Sequence, residues 1–216
     1  MSATLPPLPP ALRQRRKEAR PQELLDAALE LFAEKGFAAT RSEEVASRAG
    51  VAKGTLYLYY PSKEELLKAV ISQRLSSQIA AAAETTEQFE GPTRVLMTEV
   101  LTEWWATVVD SPTSAVFKVI IGEVRNFPEI ADFYAREVVE PGKQLIGRIL
   151  QRGITRGEFR RDFDVPAAVL SIIFPMIMLC LHKHSLGACP PMLELVEPRD
   201  FIRRHIELLL DGLRAS

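Results

Sequence analysis

The apolar positions of this chain recur at spacings of three and four from end to end, and nowhere alternate as a strand would require. Leu24, Ala28, Leu31 and Phe32 form the first such stripe, with Pro21 suited to an opening turn and Gly36, just past Lys35, to a C-terminal cap. Thr40 followed by Glu43 has capping-box spacing and predicts a short helix that Ala49-Gly50-Val51 closes. A third segment, Ala52 to Tyr60, ends against Pro61. Ser62 with Glu65 then opens a helix whose Leu66, Leu67, Val70, Ile71 and Leu75 carry it into the eighties.

The remaining two-thirds keeps the helical period. Val95, Leu96, Val100, Leu101, Trp104 and Val108 share one face, Ser111-Pro112 restarts the pattern, and Asn126-Phe127-Pro128 starts a long segment reaching about Arg152, with a kink expected at Pro141-Gly142. Gly153 and Gly157 mark a loop, and Asp164-Val165-Pro166 begins a strongly apolar helix. Residues 183 to 198 read as a Pro- and Gly-punctuated loop, and the last helix, about 199 to 214, sets Ile202, Ile206, Leu209 and Leu213 on one face. The pattern predicts an all-α protein with no internal repeat.

Composition narrows the class. With 47% hydrophobic and 25% charged residues the chain has the balance of a soluble globular protein. The run Val165 to Leu181, interrupted by Pro166, Ser171 and Pro175, is expected to fall short of a bilayer span and to form a buried helix. Prolines precede arginines at the N-terminus, the reverse of a signal peptide, so a cytoplasmic location is expected. Cys180 and Cys189 are then expected to be free thiols. The net charge of −1 is unevenly spread: residues 1 to 70 carry 11 Lys/Arg against 9 Asp/Glu, with Arg13, Arg15, Arg16, Lys17 and Arg20 clustered in a Pro/Arg-rich tail over 1–20 that is expected to be mobile.

The stretch Thr40 to Lys63, TRSEEVASRAGVAKGTLYLYYPSK, carries the chemistry. Two short helices crossing steeply need backbone freedom in the turn, supplied by Gly50, and a small residue at their contact, supplied by Ala46; Val45, Val51 and Leu56 provide the buried contacts. The second helix is then free to enter a major groove.

From about Leu24 to Val70 the sequence resembles the DNA-binding domain of the TetR family of regulators, through LLDAALELFAEKGFAATR and VASRAGVAKGTLYLYYPSKEELL. The resemblance implies a three-helix helix-turn-helix domain over 21–66 and a helical-bundle domain over 67–216 that binds a ligand and dimerises. It implies base contacts from Lys53, Gly54 and Thr55, phosphate contacts from Tyr57, Tyr59 and Lys63, and contacts from Thr40 and Arg41 at the start of the preceding helix. Plainer readings stay open: Thr40 as a cap, Tyr59 as a packing residue beside a core Tyr60, Lys53 as a solvated lysine, and the basic tail as a solubilising segment. Two positions depart from the family. Ala52 stands where serine or threonine is common, removing a capping oxygen typically worth about 1 kcal/mol, and Ser42 stands where an aliphatic residue is usual.

Beyond Val70 the resemblance is one of architecture, although GEVRNFPEIADFY is most similar to the C-terminal domain of the AefR-like branch. Trp104, Phe117, Phe133, Tyr134, Phe174 and Met178 are the expected lining of an apolar ligand pocket, with adjacent Trp104 and Trp105 unable to share one wall equally. Leu170, Phe174, Ile177 and Leu181, with Ile202, Ile206, Leu209 and Leu213, are the expected dimer faces. Each of these residues is also an ordinary core candidate. Cys180, His182, His184 and Cys189 are the one cluster with metal-ligand chemistry, but their spacing fits no zinc motif, and no metal or cofactor is expected.

The sequence therefore predicts a sequence-specific DNA-binding regulator, a homodimeric repressor released from a palindromic operator by an apolar small-molecule effector. Rival readings are a helical protein-interaction module and a helical-bundle enzyme. None of His182, His184 and His205 has a glutamate three residues before it, and no catalytic residue set is apparent, so no enzymatic activity is expected.

Overall fold

The computed structural model of the protein describes residues 10–185 and 197–214, and among these the one piece of extended pairing is an isolated antiparallel bridge between Phe159 and Arg214. The rest is helix and turn. The chain divides into two compact units, Met1–Val70 and Ile71–Ser216.

The first unit is built from α1 (Pro10–Lys35), α2 (Ser42–Arg48), α3 (Lys53–Tyr59) and α4 (Lys63–Ile71, whose last residue belongs to the second unit). Helix α1 starts earlier than the sequence suggests and holds Pro21 inside it, since proline's fixed φ is helical and its cost is one missing donor and local crowding. The part of the expected mobile tail before Pro10 lies outside the described residues. The capping box also differs from expectation by one residue. Arg41 is the N-cap of α2, and its backbone N–H donates to Glu44 Oε2 at 2.9 Å. Thr40 is instead drawn inward because Phe37, packed edge-on against Phe32 at 5.2 Å, folds the connection back on α1.

Helix α2 ends in a Schellman arrangement, in which the Val51 N–H reaches Ala46 O at 2.9 Å and the Gly50 N–H reaches Ser47 O at 3.1 Å. Gly50 pays no side-chain penalty for its φ of +66°. Val45, Ala46 and Leu56 are buried as expected, Val51 is half-buried, and Ser42 packs inside where the family favours an aliphatic residue. Arg48 ties α2 to α1 through Glu34 and Glu30.

In the second unit the helical path from α4 passes through a π-turn (Ser72–Ser76) into α5 (Ser77–Gln88). There follow α6 (Thr93–Val95), a π-turn (Leu96–Leu101), α7 (Thr102–Asp110), α8 (Ser114–Glu123), α9 (Pro128–Tyr134), a π-turn (Ala135–Val139), α10 (Glu140–Thr155), α11 (Val165–His184) and α12 (Pro198–Leu213). At Pro141, which lacks an N–H, the helical ladder widens into the π register in the turn just before it. Gly153 lies within α10 rather than in a loop: the ring of Phe159 sits where its side chain would be, 2.1 Å from the position of a Cβ. Only Gly157, at φ +72°, makes the expected turn.

Helix α11 overturns two expectations. It is long and apolar enough to cross a membrane by length and composition, with a mean hydropathy of 2.2, and it is only partly buried. One side packs on α8 and α10, while Leu170, Phe174 and Met178 are exposed. Pro175 inside it frees the carbonyl of Ser171, four residues back, and the His205 ring on α12 lies 2.9 Å from that oxygen. A carbonyl only accepts, so His205 carries its proton on Nε2. The C-terminal carbonyls of α7 are likewise capped, by the Lys183 ammonium at 2.7 Å from Val109 O and 3.1 Å from Asp110 O.

Candidate functional site

The exposed side of α3 presents Lys53, Gly54, Tyr57 and Leu58 to solvent, with Thr55 and Tyr59 half-buried at its edges. Leu56 points the opposite way and anchors the helix in the core. Ala52, the N-cap, offers no side-chain acceptor. The Lys53 ammonium is ion-paired with Glu43 of α2 and lies 5.8 Å from the centre of the Tyr57 ring. That pairing holds the Glu43 carboxyl below its ordinary range and raises the Lys53 ammonium above its own. Both groups are exposed, so the pair is weak and Lys53 is free to exchange partners.

Two of the sequence-predicted contacts are occupied otherwise. Thr40 is 2% exposed, and its hydroxyl donates to Gly36 O at 2.7 Å, so the side chain faces the interior instead of a phosphate. Lys63 commits its ammonium to three backbone carbonyls, Phe37 O at 2.8 Å, Thr40 O at 3.1 Å and Ala38 O at 3.2 Å, and covers the Phe37 ring at 4.4 Å. A lysine has three donors, and in the free protein this one spends them on the α1–α2 connection. Arg41 remains exposed beside α2. Leu58 was not among the predicted contacts; its signal, an apolar residue outside the buried stripe, is visible only once the helix phase is known.

The second unit encloses a cavity of about 540 Å³ between α5, α7, α8, α10 and α11. Its lining is almost wholly apolar, with Tyr134 and Lys143 among the few residues bearing a polar group. Trp104, Phe117, Tyr134, Phe174 and Met178 line it as expected. Phe133 does not: it turns the other way on α9, under the Arg136 guanidinium at 5.9 Å. Trp104 and Trp105 both reach the lining, packed edge-on at 4.8 Å, and the buried indole N–H of Trp105 has no acceptor. Each π-turn contributes to the wall, through Leu75, Leu101, and Val138 with Val139. Leu75 and Leu101 fall on apolar stripes visible in the sequence, whereas the widened register shifts Val138 and Val139 off the 3.6-residue phase. Trp104, Leu101 and Leu145 also border a second hollow of about 240 Å³ running beside the small side chains of Ala81, Ala82 and Thr85.

The expected dimer faces divide. Leu170, Phe174, Ile177 and Leu181 lie on the cavity side of α11, with Leu170 and Phe174 also open to solvent. On α12, Ile202, Ile206 and Leu213 are buried in the chain's own core, because that stripe packs on α7, and Leu209 is half-buried. The residue that α12 turns outward is Leu208, at 72% exposure. Arg203 with Glu99 fastens α12 to the π-turn Leu96–Leu101, and Arg199 with Glu103 fastens it to α7.

Among the described residues no three His, Cys, Asp or Glu groups are placed to hold a metal ion, and Cys189 lies outside those residues. The Cys180 thiol is buried, which pushes its pKa up to about 12, and burial likewise takes the nearby Tyr134 phenol to about 12. His184 Nε2 sits 2.7 Å from the buried Ser114 hydroxyl, and burial lowers its pKa.

A solvent-facing helix on a helix-turn-helix, with a lysine at its start and an apolar cavity in a separate helical unit, defines a DNA-binding regulator with an effector domain. Residues 24–70 match the family model described as bacterial regulatory proteins of the tetR family, and residues 90–186 match that for the tetracyclin repressor-like C-terminal domain, a description that names no branch within it. The chain is 32% identical over 161 residues to the HTH-type transcriptional repressor KstR2 of Rhodococcus jostii, covering 74% of this chain and 78% of that one. Its fold matches the fatty acid degradation regulator FadR of Bacillus halodurans with a TM-score of 0.73 at 22% identity, over 89% of this chain and 99% of that one. It also matches FadR of Bacillus subtilis, solved in complex with stearoyl-CoA, with a TM-score of 0.62, 22% identity and the same coverage. This chain belongs to the TetR family and is a DNA-binding transcriptional regulator.

Proposed function

We propose that the protein is a cytoplasmic repressor that holds a palindromic operator as a homodimer and leaves it when an extended, mostly apolar molecule fills the cavity of the second unit. It acts by binding and not by turnover. The carrying observation is the cavity itself: about 540 Å³ of almost wholly apolar wall suits an acyl chain or a fused-ring skeleton better than a polar metabolite. The stearoyl-CoA complex of the Bacillus subtilis relative supports the acyl reading. Lys53, Gly54 and Thr55 would meet base edges, with Arg41, Tyr57 and Tyr59 on the backbone. The dimer would form through the outward residues Leu170, Phe174 and Met178 of α11 and Leu208 of α12, which leave large apolar side chains in water in a single chain. Because Phe174 belongs both to that surface and to the cavity wall, a ligand against it would act on the dimer through α11.

The test begins with selection of bound duplexes from a random pool, followed by release assays with saturated acyl-CoA thioesters and free fatty acids of increasing length. A two-fold symmetric site released by the longer chains supports the reading. An enriched site that no chain length releases overturns the acyl assignment, and a monomer at micromolar concentration overturns the dimer.

A further inference from the structure

Helix α3 is short, and its exposed residues fall into two rows of i, i+4 spacing: Lys53 with Tyr57, and Gly54 with Leu58. The first row closes on itself, the ammonium of Lys53 standing over the Tyr57 ring. The second is open. Leu58 is 79% exposed, the most of any large hydrophobic side chain among the described residues. Gly54 is bare for no internal reason: a Cβ placed there would meet nothing within 4 Å, and its φ is not left-handed. Alanine would favour the helix more. A gap beside a projecting isobutyl group gains nothing in the free protein, so both features are accounted for by what lies against this helix when the regulator holds DNA.

The major groove carries donors, acceptors and one apolar group at its base edges, the C5-methyl of thymine. A leucine pressed on any of the others would desolvate a polar atom without replacing its hydrogen bond. The methyl instead needs an apolar wall and clearance for the backbone to approach. We infer that Gly54 and Leu58 form a slot that reads one thymine methyl in each half-site, with Gly54 providing the clearance and Leu58 the wall. Lys53, one row over, keeps its ammonium for an acceptor on a neighbouring base pair.

The experiment uses the full-length protein and the duplex it selects from a random pool. Each thymine is replaced in turn by deoxyuridine, which removes the methyl and nothing else. At one symmetry-related thymine, affinity should fall about fourfold per replacement, the value of one buried methyl-sized group. The Leu58→Ala protein should bind the thymine duplex more weakly and no longer distinguish it from the deoxyuridine duplex. Gly54→Ala should fold with thermal stability no lower than that of the unaltered protein and lose operator affinity while retaining binding to random duplex at low salt. The inference is overturned if no deoxyuridine replacement matters, if Leu58→Ala keeps the full deoxyuridine penalty, or if Leu58→Ala weakens thymine and deoxyuridine duplexes alike, which would place Leu58 against sugar. Wild-type operator affinity in Gly54→Ala would overturn the clearance role.

Discussion

The two units solve opposite problems with the same element. In the first, a helix of seven residues is fixed by one buried leucine and turns its remaining side chains to water, so that Lys53, Gly54 and Leu58 stay available to a partner. In the second, long helices turn their apolar residues toward one another and leave a hollow lined by Trp104, Phe117 and Ile146. The first site is a local object, written in 24 consecutive residues and held by caps and one glycine turn. The second is assembled from helices and π-turns far apart in sequence. A surface meant for a polar polyanion is set by spacing within a helix, whereas a hollow meant for an apolar molecule is set by how helices fail to close.

The sharpest way to break this comparison is Lys63. If the first unit holds its shape through the ammonium clamp, Lys63→Met removes three charge-assisted hydrogen bonds at partly buried carbonyls. Such a loss should lower the stability of the DNA-binding unit by roughly 2–4 kcal/mol, read as an earlier transition in chemical denaturation followed by helical circular dichroism. Unchanged stability with weaker DNA binding would return Lys63 to the phosphate-contacting role that the family resemblance implies.

The next effect in size is Lys53→Ala. It should cost about 1–3 kcal/mol in binding the selected operator and much less on random duplex, measured by fluorescence anisotropy at fixed salt. An equal loss on both would leave Lys53 as a phosphate contact and remove base readout from the start of α3.

How far each unit was legible in the sequence follows from the same contrast. Gly50 and Ala46 were readable because each acts through neighbours within four or five positions. Where a longer reach decides the local structure, the linear reading is incomplete: Thr40 looks like a surface residue until Phe37 folds the connection back on α1. In the second unit the aromatic positions gave most of the cavity, because large apolar side chains on adjacent helices must meet somewhere. Leu75 and Leu101 were visible as members of apolar stripes, but spacing does not tell a cavity wall from packed core, and Val138 and Val139 escaped notice since a widened turn shifts the helical phase. The outward face of α12 was misjudged for a simpler reason. A stripe of Ile202, Ile206 and Leu213 specifies burial, and nothing in its spacing says whether the covering surface is α7 or a second chain.

A smaller effect separates the two units by chemistry. Burial takes the Cys180 thiol to about 12, so at pH 8 almost none of it is thiolate, and in a Cys189→Ser background the folded protein should react with a disulfide reagent far more slowly than the same protein in denaturant. Fast labelling of folded protein would mean that the packing around α11 opens readily, and the cavity wall would then be softer than its burial indicates.

The smallest effect tests how the exposed unit keeps its lysine ready. Glu43 holds Lys53 in the free protein, and DNA must displace that carboxylate before a base edge can take the ammonium. An exposed pair of this kind is weak, so Glu43→Gln should tighten binding by no more than about fivefold. Part of the gain would come from removing a negative charge near the phosphates, and that part fades as salt rises. The part due to releasing Lys53 is found by repeating the change in a Lys53→Ala background, where it should vanish. If Glu43→Gln tightens binding equally in both backgrounds, Glu43 acts only as a repulsive charge, and Lys53 is not held in reserve by its neighbour.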